Sequence, residues 1–170
     1  MRKLILALFL LASAWSCSES DPEVYTGEKL EYKLNKASEF DDSGTLTIRE
    51  LTDGNLEMNI QLAGARSTSS TTFPAHLHFG NYTDPDAPMA LMLNSVSGAN
   101  LQSRTVLGEL MNGNKLSFEE MKNFDGHVKV HLASEGPDYK VILVAGNIGS
   151  NFDESLEFDA SQMTVCSPDF

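Results

Sequence analysis

Two of the four histidines stand two residues apart, as His76 and His78 in the sequence Pro-Ala-His-Leu-His-Phe-Gly. In a β-strand, side chains at positions i and i+2 leave the same face roughly 6 to 7 Å apart. Two neutral imidazoles at that spacing can bind one metal ion. The same arrangement also suits two histidines that bind nothing, so the pair by itself leaves metal binding and a structural role both open.

The other two histidines, His127 and His131, lie in a run in which apolar and polar residues alternate. The apolar face of this run consists of Val128, Val130 and Leu132. Both histidines therefore share the opposite face of a predicted strand with Lys129. Some 13 Å of strand separate His127 from His131, so we expect His127 to be a surface residue outside any site that His131 joins.

The neighbours of His76 and His78 predict which face of the sheet these two histidines occupy. Leu77 and Phe79 have the character of core residues, so the histidines between them point outward. A metal site on the outer face has to be shielded from bulk water by loops. The long segments 64–72 and 94–114 are available for this.

The fold class follows from the period of the apolar residues. Beyond residue 27, short alternating runs are separated by turn residues, and the clearest is Leu56–Leu62. About nine short strands with long connections predict an all-β domain, a Greek-key β-sandwich or flattened barrel. Residues 116–124 fit a strand or a helical turn equally well. No glycine-rich phosphate loop, G-x-S-x-G, C-x-x-C or H-E-x-x-H motif is present, which excludes the usual nucleotide and triad chemistries.

The N-terminal residues 1–16 have the form of an export signal. Arg2 and Lys3 precede an apolar run from Leu4 to Leu11, which is too short to span a membrane, and small residues lead to Cys17. This pattern suits a lipoprotein cleavage site and predicts that Cys17 becomes the acylated first residue. Cleavage without acylation at the same bond stays an alternative. We therefore predict an exported, lipid-anchored protein of the cell envelope, in the periplasm or at the outer membrane.

The composition of the rest of the chain predicts three segments and excludes some classes of partner. We expect an acidic tether at 17–27, a β-domain at 28–151 and an acidic C-terminal extension at 152–170, with residues 163–166 compatible with a last strand. The formal charge is −12, and it becomes −14 without the leader, which holds two basic residues and no acidic one. Such a surface repels nucleic acid and anionic lipid headgroups, so the lipid anchor is the expected membrane contact.

The two cysteines are too few for a disulfide framework. If Cys17 is acylated, Cys166 has no cysteine partner. The interpretations that remain open for Cys166 are a small buried residue, a bridge to a non-acylated Cys17, and a soft ligand for cuprous ion.

Five segments of the chain resemble, in order, the CHRD domain, a family named from chordin with bacterial members in exported proteins. The resemblance extends from about Glu28 to Asn151 and is strongest at the H-x-H after Pro-Ala and at the Val-x-Val-His strand. It implies a binding or structural domain without an established activity. The segments are 44–48, 59–64, 74–80, 124–132 and 144–149.

The same landmarks are similar to Cu/Zn superoxide dismutase, in which an H-x-H strand and a later Val-His strand supply copper ligands. This similarity implies that His76, His78 and His131 bind copper, or less favourably zinc, as neutral imidazoles. Binding should then weaken as pH falls through about 6.5. The bridging histidine and the zinc loop of that family have no counterpart here. Ile142 stands near the position of the family's arginine that guides superoxide, and Ala145 stands near the position of its disulfide cysteine.

Dismutase activity is therefore not expected, and the sequence predicts a metal-binding module rather than an enzyme. Two alternatives remain: a periplasmic redox enzyme that acts on superoxide or cuprous ion, and a structural or adhesion module without a metal.

Overall fold

Eight antiparallel strands form the body of the protein in a computed structural model, which describes residues 24–67 and 70–165. Cys17 and Cys166, and with them the predictions of a signal peptide, acylation and a bridge, lie outside the described residues. The all-β prediction is confirmed. The strands are β1 (Tyr25–Lys36), β2 (Ser43–Leu51), β3 (Leu56–Ala63), β4 (Thr72–Phe79), β5 (Met89–Ser97), β6 (Gln102–Val106), β7 (Asp125–His131) and β8 (Ile142–Gly149), with helix α1 (Phe118–Lys122) and 3₁₀ turns at Pro137–Lys140 and Ala160–Gln162.

The strands form one sheet in the order β5-β4-β7-β8-β1-β2-β3-β6, which curls into a nearly closed barrel. β4, β5 and β6 follow one another, and β7 returns to lie beside β4, which is a Greek key. Side chains join the two edge strands, because the Asn94 amide donates to Thr105 Oγ1 at 2.9 Å and the Ser103 hydroxyl donates to the Asn94 carbonyl at 2.8 Å. The predicted flattened barrel is thus observed.

Alternate positions of the strands fill the barrel interior, as the sequence pattern predicts. β3 is a clear case, since its apolar positions at 56, 58, 60 and 62 are all buried in the core. Leu77 on β4 and Val128 and Val130 on β7 also face inward and are fully buried. The other faces of β4 and β7 therefore carry the four histidines.

Residues 116–124, for which the pattern fits two structures, contain α1. Ser117 starts this helix with a capping box: its hydroxyl accepts from the Glu120 amide at 3.3 Å, and the Glu120 carboxylate accepts from the Ser117 amide at 2.8 Å. Phe118 and Met121 are buried against the core. One short amphipathic turn thus packs its apolar side onto the barrel between β6 and β7.

The segment from residue 152 to residue 165 packs against the barrel near both of its ends. Phe152 packs edge-on against Tyr32 of β1, with ring centres 5.1 Å apart. Further on, Thr164 hydrogen bonds to the loop after β4, at the carbonyls of Tyr82 and Asp84. No strand forms within the described part of this segment, so eight strands are seen where about nine are predicted.

Candidate functional site

The antiparallel pairing of β4 with β7 brings the histidines of both strands onto one face. In this register His78 lies opposite His127, and His76 lies opposite Lys129. The ring centres of His76 and His131 are 4.9 Å apart, and those of His76 and His78 are 5.9 Å apart. His76 thus stands between the two other predicted ligands, and the structure brings all three together.

His127 belongs to the same cluster, although the sequence places it on the surface. Its ring stacks on that of His78, with centres 4.9 Å apart and planes 10° from parallel. The surface prediction was wrong because spacing along β7 says nothing about the neighbour on β4. Pairing in the sheet, rather than any local pattern, reveals this fourth imidazole.

All four histidines are buried. The exposed fraction is 3% for His76, 2% for His78 and 0% for both His127 and His131. They lie on the outward face, as predicted, but other segments cover that face.

Among the described residues, the hydrogen bonds to this face do not come from the two segments that the sequence offers. Ser67 and Thr71 hydrogen bond with Gly98, so the loops 64–72 and 94–114 contact each other where the end of β5 meets the start of β4. The contacts to the histidine face come from the loop at 80–88, the 3₁₀ turn Pro137–Lys140 and the C-terminal segment at Thr164.

Backbone carbonyls fix the orientation of three of the rings. The Nδ1–H of His131 donates to Tyr139 O at 2.7 Å, that of His127 to Gly80 O at 2.8 Å, and that of His78 to Ala87 O at 3.3 Å. A carbonyl oxygen only accepts, so Nδ1 carries the proton and Nε2 of each neutral ring keeps its lone pair. Histidines that bind metals are oriented in the same way.

A glycine makes one of these contacts possible. Gly80 ends the H-x-H strand with a φ of 72°, a left-handed conformation that a glycine adopts without strain. The chain turns there, and the Gly80 carbonyl accepts from the His127 ring. The Nε2 of His127 is buried and makes no hydrogen bond within the described chain.

Burial keeps the four imidazoles neutral. Desolvation lowers the pKa of His76 to about 4, with further lowering from His131 and His78. Desolvation likewise lowers the pKa of His78 to about 3 and that of His127 to about 4, and it lowers the pKa of His131. The unprotonated form, which metal binding requires, is therefore dominant at neutral pH.

Lys129 places a buried positive charge on the same face. The residue is 1% exposed, and its Nζ donates to Thr164 O at 2.7 Å. Its charge contributes to the lowered pKa of His78, His127 and His131. The cluster thus combines neutral nitrogen donors with a nearby ammonium group.

The distances between the rings suit a single metal ion, but the directions in which the rings point do not. Two imidazoles that bind one ion through nitrogens about 2.0 to 2.1 Å away have centres roughly 5 Å apart. The separations around His76 are close to this value. Within residues 24–67 and 70–165, however, no group of three or more His, Cys, Asp or Glu side chains is placed to hold a metal ion. Binding by the trio would therefore require the rings to reorient.

Comparisons with known proteins leave the family open: no family model, no curated protein and no solved structure matches the chain significantly. In the part of the chain that the structure describes, no helix is long and apolar enough to cross a membrane.

Proposed function

We propose that this chain is an envelope-anchored, CHRD-like binding domain that captures copper, or less favourably zinc, through His76, His78 and His131. The supporting observation is the convergence of two strands about fifty residues apart in sequence, which places three neutral, buried rings with His76 at their centre. Such a donor set suits both copper and zinc. Bound copper would supply a centre that exchanges single electrons.

The test is a titration of the purified mature protein with Cu⁺ under reducing conditions, and with Cu²⁺ and Zn²⁺, at pH 7.5 and pH 5.5. A free histidine would lose affinity between these values. Because the pKa values of His76 and His78 are near 4 and 3, we expect affinity to change little over this range.

A double variant, His76→Gln with His131→Gln, should bind at least tenfold more weakly, with Gln102→Ala on the distant strand β6 as the control. Absence of binding at both pH values, or equal affinity in the double variant, would refute the proposal.

A second candidate role is structural, and the ring N–H groups of His78, His127 and His131 support it because each braces a loop carbonyl. In that case metal would leave the Tm unchanged, while His78→Ala would lower it. Capture of copper predicts instead that one equivalent of Cu⁺ raises the Tm of the parent protein and not that of the double variant.

A further inference from the structure

A cleft with a mixed polar and apolar lining crosses the outer face of β1. It has two parts, of about 290 Å³ and about 720 Å³, and both are lined by Lys33 and Asn35 from β1 and by Phe158 from the C-terminal segment. The two parts lie next to each other, and we call them together the β1 cleft. Their sizes fall in or near the range of small-molecule sites, roughly 300 to 1,000 Å³.

Strand pairing and the C-terminal segment create the β1 cleft. β1 pairs with β8 at only two positions, Asn35 with Ala145 and Lys36 with Val144, whereas it pairs with β2 along most of its length. The segment 152–158 then passes over β1 and is anchored at both ends. Phe152 packs on Tyr32, and the ring of Phe158 lies 4.7 Å from that of Tyr82. The cleft is thus a defined feature between a strand and an anchored segment.

Several side-chain amides line the narrower part. Asn35, Asn81, Asn147 and Asn151 line it. The Oδ1 of Asn147 accepts from the Tyr82 amide at 3.1 Å, which leaves its NH₂ group as a donor toward a ligand. The amide groups that make no bond within the protein can bond to the hydroxyl groups of a sugar ring, which both donate and accept.

Aromatic rings lie beside these amides. Tyr82 and Phe158 both line the cleft, with their planes tilted 39° to each other. A sugar ring has an apolar C–H face that packs on aromatic rings, while its hydroxyl groups point to the sides. The combination of amides and aromatic rings therefore suits a polyhydroxylated ligand better than a purely apolar one.

Charge argues against anionic ligands. Lys33 is the cationic group in the narrower part, against the carboxylates of Asp153, Glu157 and Asp159, and the whole chain carries −12. Two of these carboxylates cap turns of their own segment, since Asp153 accepts from Ser155 and Asp159 accepts from Ser161. They are thus occupied in local structure, and we do not assign them to a cation.

We propose that the β1 cleft binds an uncharged oligosaccharide. Amides contact the hydroxyl groups, and the Tyr82 and Phe158 rings contact the apolar face of a sugar unit. This site is separate from the proposed metal ligands, so binding of saccharide and binding of copper are independent claims.

The experiment uses the mature protein with cellotriose, maltotriose, mannotriose and tri-N-acetylchitotriose as neutral probes, and with trigalacturonate as the acidic one. Saturation-transfer NMR identifies binding, and calorimetry measures it. We expect at least one neutral probe to bind and trigalacturonate to bind more weakly. If no neutral probe binds, or if trigalacturonate binds best, the proposal is overturned.

Variants locate the site. Asn35→Ala with Asn147→Ala should weaken binding at least tenfold, and Phe158→Leu, which removes the ring but keeps an apolar side chain, should do the same. Asn112→Ala is the matched control, because Asn112 lies in an exposed turn and does not line the cleft. It should leave the affinity for saccharide unchanged. His76→Gln with His131→Gln should also leave it unchanged, which separates this proposal from copper binding. Equal affinity in the cleft variants and the control would refute the site.

Discussion

Lys129 is the residue whose position is hardest to explain by stability alone. A lysine ammonium has a high desolvation cost, yet this one is buried beside four neutral imidazoles and bonded to a backbone carbonyl. We predict that Lys129→Met, which keeps the apolar stem, raises the affinity for Cu⁺ by roughly tenfold, or about 1.4 kcal/mol. The reason is that the Lys129 charge lowers the pKa of His78 and His131 and should disfavour a bound cation in the same way.

Calorimetric titration of the variant beside the parent protein measures this effect, with Lys33→Met as a control on an exposed lysine of β1. A loss of copper affinity in Lys129→Met, with the fold intact by circular dichroism, would show that the ammonium supports the site instead of opposing it.

The sequence indicates the orientation of the histidines but not their burial. Alternation within β4 and β7 is a local property, so it predicts that His76 and His131 point away from the core. Their burial depends on Tyr139, Thr164 and the loop after β4, and these residues are up to 88 positions away in the chain. The pKa values near 3 and 4 follow from that burial, so the pH dependence of metal binding expected from free histidine does not carry over to the folded protein.

At the scale of single strands, Glu57 joins three elements. Its carboxylate is buried and accepts from Tyr25 of β1 at 2.8 Å, from Asn59 of β3 at 2.6 Å and from Arg104 of β6. Burial alone would raise the pKa of Glu57, but these hydrogen bonds hold it below its usual value. The residue is thus a fully bonded carboxylate that ties β1 and β6 to β3.

We predict that Glu57→Ala lowers the free energy of unfolding by about 1 to 3 kcal/mol, since it removes three hydrogen bonds to a buried carboxylate, while the exposed donors can bond to water. Urea denaturation at pH 7.5 measures the change. The matched control is Glu31→Gln, which removes an exposed carboxylate paired with Lys29 and should cause no measurable loss. Equal midpoints for the two variants would contradict this account.

Thr164 ties the C-terminal segment to Lys129 on the histidine face and to the loop after β4. The Thr164 hydroxyl donates to Asp84 O at 2.8 Å and to Tyr82 O at 3.2 Å, and its carbonyl accepts from Lys129. We predict that Thr164→Val, which keeps the shape but removes the hydroxyl, lowers stability by about 1 kcal/mol and speeds hydrogen exchange in residues 158–165.

Hydrogen–deuterium exchange with mass spectrometry follows this segment directly. Ser161→Ala is the control, because the Ser161 hydroxyl bonds only within its own turn, to Asp159. Faster copper association in Thr164→Val than in the control would indicate that the segment limits access to the rings. Unchanged exchange at 158–165 would show that the threonine does not hold it.

For the molecule as a whole, the fold class was predictable because alternation and turn residues are local signals. The way the barrel closes was not, since it depends on Asn94, Ser103 and Thr105 meeting across two edge strands. The packing of the C-terminal segment was not predictable either. Its sequence is acidic and irregular, and the contacts of Phe152 with Tyr32 and of Thr164 with Lys129 join residues far apart in the chain.

The burial of all four histidines gives the whole molecule a specific pH dependence. In the unfolded chain a histidine has a pKa near 6.5, whereas His76 and His127 titrate near 4 and His78 near 3 in the folded protein. Above pH 6.5 both states are neutral, and the full stability is present. Below it the unfolded chain takes up protons that the folded protein excludes, so stability falls by about 1.4 kcal/mol per pH unit for each such histidine.

We therefore predict that the free energy of unfolding of the metal-free protein decreases steeply between pH 6.5 and pH 5, before most carboxylates titrate. Urea denaturation in the presence of a chelator at pH 7.5, 6.5, 5.8 and 5.0 measures the slope. The variant His76→Gln should reduce the slope by about one proton, while Gln102→Ala should keep the slope of the parent protein. A constant stability from pH 7.5 to 5.0 would mean that the imidazoles accept protons as readily in the folded barrel as in the unfolded chain, and the neutral cluster on which copper capture depends would not exist.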